Sequence, residues 1–122
     1  MVVPEGRLYG CPIELALDVI GGKWKTVILA RLKDAPLRYG ELRRAIPTLA
    51  DKVLTQRLRE LEDSGLVERS DRDGASVYAL TARGLTLGPA LEALYAWGQT
   101  QGNAARARFR NDERDLIEST KV

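Results

Sequence analysis

The sequence predicts a mainly α-helical chain with one small β-hairpin, an α+β domain of 122 residues. Three observations predict it. Apolar residues recur at helical spacing along most of the chain, the pattern changes to two short strand-like runs only between Leu66 and Leu80, and proline or glycine falls between the segments. No internal repeat or low-complexity stretch divides the chain, so a single domain is expected.

The elements follow in order. Pro12, after Cys11, suits a first helical turn, and Ile13, Leu15, Ala16, Leu17, Val19 and Ile20 give that helix an apolar body stopped by Gly21-Gly22. Lys23 to Lys33 reads as a second helix burying Trp24, Val27, Ile28, Ala30 and Leu32. Asp34-Ala35-Pro36 breaks it, and Leu37-Arg38-Tyr39 suits a short strand. A third helix follows from Tyr39 or Gly40 to Ala45, and Pro47-Thr48-Leu49 makes a tight corner. The fourth helix begins near Asp51 and ends at Ser64-Gly65. Leu66 to Ser70 and Ser76 to Leu80 read as strands joined by the polar turn Asp71–Ala75. Thr81 then caps a last long helix, interrupted at Gly88-Pro89 and striped with Leu91, Leu94, Tyr95 and Trp97, before a polar tail from Gln101.

Composition excludes several classes. The chain has no histidine and a single cysteine, Cys11, which removes the commonest general base, the commonest metal ligand and any internal disulfide. No enzyme activity, metal or cofactor is therefore expected. No apolar run suits a membrane span, and the start Met1–Gly6 lacks the basic and apolar regions of a signal peptide, so a cytoplasmic protein is expected.

Charge is uneven. Between Lys23 and Arg59 ten basic residues face three acidic ones, an excess of +7 in a chain whose net charge is +2. Such a segment suits a polyanion, because neutralising phosphates releases condensed counterions. The order helix, helix, short strand, helix, turn, helix, hairpin, helix is that of a winged helix-turn-helix, in which the second helix of the pair enters the major groove. The fourth helix has the two faces this needs. At 100° per residue Leu54, Leu58 and Leu61 cluster within about 60°. Lys52, Gln56 and Arg59 lie opposite, with Thr55 on a flank, all side chains able to bond base edges or phosphates. A solvent-facing amphipathic helix would read similarly; the neighbouring turn and hairpin favour the DNA reading. At the hairpin Arg72, and less so Arg69, suit a flanking minor groove. Lys23, Lys25, Arg38 and Tyr39, at two helix starts, suit phosphates, as do Arg43 and Arg44, which the sequence does not orient. Double-stranded DNA is the expected partner, and a winged helix that binds protein without DNA is the alternative.

At these residues a family resemblance enters. Cys11-Pro12-Ile13-Glu14, Leu17–Trp24, Arg38–Arg44, Leu54–Glu62, Gly65-Leu66-Val67, Tyr78–Gly84 and Trp97-Gly98 resemble the HxlR family of bacterial regulators, relatives of the MarR group. The resemblance spans roughly residues 8 to 98. It implies a dimeric winged-helix regulator, repressing or activating a nearby gene, with a DNA-binding core of about 23–82 and dimerisation helices of about 8–22 and 82–118. One departure is Ala50, where the family usually has a capping serine; Asp51 or Thr48 is left as the cap. The first helix is apolar on nearly all sides, more than one small domain buries, which also favours a homodimer through Ile13, Leu17, Leu91, Leu94, Tyr95 and Trp97. Cys11 stands at a helix start, with Arg7 and Lys23 placed to add positive charge. The resemblance implies a thiol that responds to oxidants or electrophiles; a small buried hydrophobe is the alternative. Operator and effector are not encoded legibly.

Overall fold

The computed structural model describes residues 5–109. The chain forms two compact units, Met1–Leu91 and Glu92–Val122. The first unit opens with α1 (Pro12–Ile20), with proline in its first turn and Cys11 as N-cap residue. Next come α2 (Lys25–Leu32), β1 (Leu37–Arg38), α3 (Tyr39–Ala45) and α4 (Asp51–Asp63). The hairpin β2 (Val67–Arg72) and β3 (Ala75–Leu80) follows, then the short α5 (Ala82–Leu85). Last is α6 (Gly88–Ala105), which starts in the first unit and supplies most of the described part of the second.

Leucine spacing places the core. Ile28 and Leu29 of α2, Leu42 of α3, Leu49 of the turn, and Leu54, Leu58 and Leu61 of α4 are all at most 2% exposed. They form one cluster with Leu66, Val67, Tyr78, Leu80 and Leu91. Burial of that face holds α3 and α4 as a pair against α2 and the sheet, since apolar area removed from water is the main stabilising term.

The sheet has the order β1-β3-β2, antiparallel throughout. Leu37 pairs with Tyr78, and the hairpin runs in register from Val67 opposite Leu80 to Arg72 opposite Ala75. The strands are longer than their sequence pattern suggests, because the turn is only Asp73-Gly74. Both residues have positive φ, 51° and 76°, the two-residue geometry whose twist suits a hairpin and which Asp-Gly adopts readily. Beyond Val67 every residue of β2 is exposed. Only the base of the wing is core; its tip is free.

The C-terminal end of α4 is tied to the segment after the wing. Thr81 donates to the Gly65 carbonyl at 2.6 Å and caps α5 by accepting from the Gly84 amide at 3.0 Å. Arg83 donates to the Ser64 carbonyl at 2.6 Å. Gly84 is buried, and a β-carbon there would run into the Leu66 carbonyl oxygen. Thr81 thus caps as expected, but the helix it caps is short and α6 starts afresh at Gly88. In the second unit Leu94, Tyr95 and Trp97 are 53%, 57% and 65% exposed. Gln101 to Ala105 continue α6, and the expected extension of a dimerisation helix to about residue 118 lies outside the described residues.

Candidate nucleic-acid interface

The fourth helix has the two faces its sequence predicts. With Leu54, Leu58 and Leu61 buried, Lys52, Thr55, Gln56 and Arg59 are all exposed. It starts at Asp51 as expected, but its cap differs from expectation. The N-cap residue is Ala50, with no side-chain cap, and neither Thr48 nor Asp51 takes that place.

Asp51 instead joins a polar cluster on one flank of α4. Its carboxylate accepts from the Tyr39 hydroxyl and pairs with the Arg43 guanidinium at 3.5 Å. Arg43 also donates to the Leu49 carbonyl in the turn, and the Thr55 hydroxyl lies 3.1 Å from that of Tyr39 and donates to the Asp51 carbonyl at 3.0 Å. Burial, and next the bond to the Asp51 carboxylate, raise the Tyr39 pKa, so its hydroxyl stays a donor. Tyr39 and Arg43 therefore brace the start of α4.

The opposite flank holds a second brace. Lys25 is 6% exposed, and its ammonium lies 3.3 Å from the Glu60 carboxylate, which also pairs with Arg57. Burial alone would raise the Glu60 pKa, but hydrogen bonds and charge from Lys25 and Arg57 outweigh it and lower the value. Lys25, expected at a phosphate, is thus inside the fold and committed to α4.

The other cations stay outside. Lys23 is exposed with its ammonium 4.8 Å from the Trp24 ring centre. Arg38 and Arg44 are exposed, and with Tyr39 and Glu41 they face Ala75 and Ser76 across an open cleft of about 420 Å³ between α3 and the wing. Glu41 accepts the Arg38 amide at 2.8 Å, which fixes the start of α3. Arg72 is exposed beside the hairpin turn, whereas Arg69 is drawn to Asp71 at 3.4 Å. The exposed polar and basic side chains are thus Lys52, Thr55, Gln56 and Arg59 on α4, Arg38 and Arg44 at α3 beside the wing, and Arg72 at the wing's tip.

Sequence reasoning did not find the Tyr39–Asp51–Arg43 cluster or the Lys25–Glu60 pair. Only the spacing of Arg57 and Glu60, neighbours one helical turn apart, signals part of either.

Cys11 is exposed at the start of α1. The cations expected beside it are otherwise engaged: Arg7 pairs with Asp18 at 3.3 Å, and Lys23 sits over Trp24. Ile13 and Leu17 are 68% and 60% exposed, while Leu91, expected at a dimer interface, is 4% exposed in the first unit's own core. Among the described residues no helix is long and apolar enough to cross a membrane, and no cluster of His, Cys, Asp and Glu suits a metal ion.

Helix pair, buried leucine face, outward polar face and wing define a winged helix-turn-helix transcriptional regulator. Residues 19–106 match the HxlR-like helix-turn-helix family, and the chain belongs to it. An HTH-type transcriptional regulator of Methanothermobacter thermautotrophicus is 43% identical over 98 residues, 78% of this chain and 75% of its own length. The redox regulator HypR in its oxidised form superposes with a TM-score of 0.70 at 40% identity, covering 74% of this chain and 96% of that one. The quinone-bound YodB of Bacillus subtilis superposes with a TM-score of 0.64 at 34% identity, covering 74% and 99%.

Proposed function

We propose that this regulator binds double-stranded DNA in a sequence-specific manner, as a homodimer on a two-fold symmetric operator. The observation that carries the reading is α4. Its leucines are buried to within 1%, so Lys52, Gln56 and Arg59 point outward together. A major groove admits such a helix, and Gln and Arg pair bidentately with adenine and guanine edges. Arg38, Lys23 and Arg72 supply phosphate contacts around it. Exposed Ile13 and Leu17 on α1, and exposed Leu94, Tyr95 and Trp97 in the second unit, supply apolar area for a second copy. The expected site of action is the cytoplasm, where DNA is.

The test is selection of bound duplexes from a random pool, followed by affinity against salt. Binding is expected to weaken with a log–log slope near −0.9 per neutralised phosphate. Neutralising Lys23 and Arg38 together is expected to flatten that slope by about two contacts and leave sequence preference alone. A protein that retains no duplex at low salt overturns this reading and leaves the protein-binding winged helix as the alternative.

The family setting and the exposed Cys11 support a second element. HypR is a redox regulator and YodB has been crystallised with a quinone. An oxidant or quinone-type electrophile acting on Cys11, at the head of the α1 dimerisation helix, changes operator affinity by altering the spacing of the two recognition helices. With no second cysteine in the chain, oxidation ends in a bond between subunits or to a small thiol. Operator affinity of wild type and Cys11→Ser is measured with and without diamide or a quinone, with mass analysis of the adduct. A response in the wild type alone is expected; equal responses remove Cys11 from sensing.

A further inference from the structure

We propose that Lys25 and Glu60 are positioning residues whose ion pair, buried at its lysine end, sets the roll of α4 and so its ability to discriminate between DNA sequences. The inference rests on the DNA-binding reading and concerns residues that do not touch DNA. Hydrophobic contact is non-directional, so a face of three leucines fixes which side of α4 is buried more tightly than it fixes the roll angle. Hydrogen-bonded charges are directional. At 100° per residue Glu60 lies about 40° round the helix from Gln56, and Asp51 lies roughly 140° from Gln56 on the other side. The Lys25–Glu60 pair and the Tyr39–Asp51–Arg43 cluster therefore hold α4 from opposite flanks, with Lys52, Gln56 and Arg59 between them.

Stability alone does not explain a lysine at 6% exposure in this place. Desolvating an ammonium and a carboxylate offsets much of their attraction, and apolar side chains of similar volume often fill such a space with equal or greater stability. Arg57 lies on the same carboxylate, so Glu60 is neutralised without Lys25. What Lys25 adds is a fixed link from α2 to the flank of α4.

The experiment uses the full chain and the duplex that the wild-type protein selects. In Lys25→Met/Glu60→Met both members of the pair go together, and Arg57, released from Glu60, is 31% exposed and reaches water, so no buried ion is stranded. The melting temperature is expected to stay at or above that of the wild type. Affinity for the selected duplex is expected to fall by about ten- to a hundredfold, the discrimination carried by one misaligned bidentate contact. Affinity for random duplex and the salt slope are expected to hold. A double variant that discriminates as the wild type does makes the pair packing and overturns the proposal. Equal losses on both duplexes with a flattened slope also overturn it, by making Lys25 a phosphate contact. Should the double variant fail to fold, Lys25→Met alone, with Glu60 still held by Arg57, is read by the same measurements. A wild-type protein that retains no duplex removes the pair's role together with the function it rests on, whereas retained discrimination in the variant removes the pair's role alone.

Discussion

Leu58→Ala is expected to lower the free energy of unfolding by about 2–5 kcal/mol. Leu58 is 1% exposed on the inner face of α4, between Leu54 and Leu61, and belongs to the cluster that joins α2, α3, α4 and the sheet. Truncation removes buried methyl groups from water-free packing. It also leaves a cavity that the neighbours fill only in part, because α4 is pinned at its start by Tyr39 and Arg43 and the carbonyls after its end are held by Thr81 and Arg83. Urea unfolding at one fixed protein concentration measures the loss, since dimerisation would make stability depend on concentration. A lower midpoint with an unchanged slope is expected. A loss below about 1 kcal/mol would show that this side of α4 does not carry the core. Gln56→Ala, on the opposite side of the same helix, is the control and is expected to stay within about 0.5 kcal/mol of wild type.

The contrast between those two substitutions marks what the sequence makes legible. Helical period and glycine or proline punctuation place α1, α3 and α4 almost to the residue, because each depends on neighbours in the chain. The hairpin is legible as two strands and a polar turn, but its tight two-residue form depends on positive φ at both Asp73 and Gly74. Lys25 is where reading by residue type fails. A lysine at a helix start looks like a surface cation, and its burial becomes visible only when α2 and α4 are packed and Glu60 arrives from a distant part of the chain. Tyr39 and Asp51 fail in the same way: one resembles a phosphate donor, the other a cap, and tertiary contact turns them into partners.

The apolar stripe of the last helix teaches a related lesson. Leu91, Leu94, Tyr95 and Trp97 share one periodic pattern, yet Leu91 closes the first unit's core while the other three are exposed. Periodicity tells which residues avoid water. It does not tell whether the cover is the same chain or a second one.

Alanine at Arg59 or Gln56 is expected to cost about 1–3 kcal/mol on the selected duplex and much less on random DNA. Both side chains are exposed, and the flanking braces fix the helix that presents them. Among the described residues neither has a hydrogen-bond or ion-pair partner, unlike Arg57, which is held by Glu60 on the same helix. A guanidinium offers two parallel donors to a guanine edge and a carboxamide matches adenine, so on the proposed reading removing either would leave a base edge unpaired at one position of each half-site. On random duplex most of those pairings are already absent, and on the proposed reading the residual affinity comes from phosphate contacts, for which Lys23, Arg38 and Arg72 are the expected residues. The salt slope should therefore stay nearly constant in Gln56→Ala and flatten in Arg59→Ala only if Arg59 also meets a phosphate. Competition between the selected duplex and single-position variants of it then locates the contact, since the preference lost in each variant protein should fall at one symmetric pair of positions. Equal losses on selected and random DNA would assign the residue to the backbone and leave α4 without a reading role at that position.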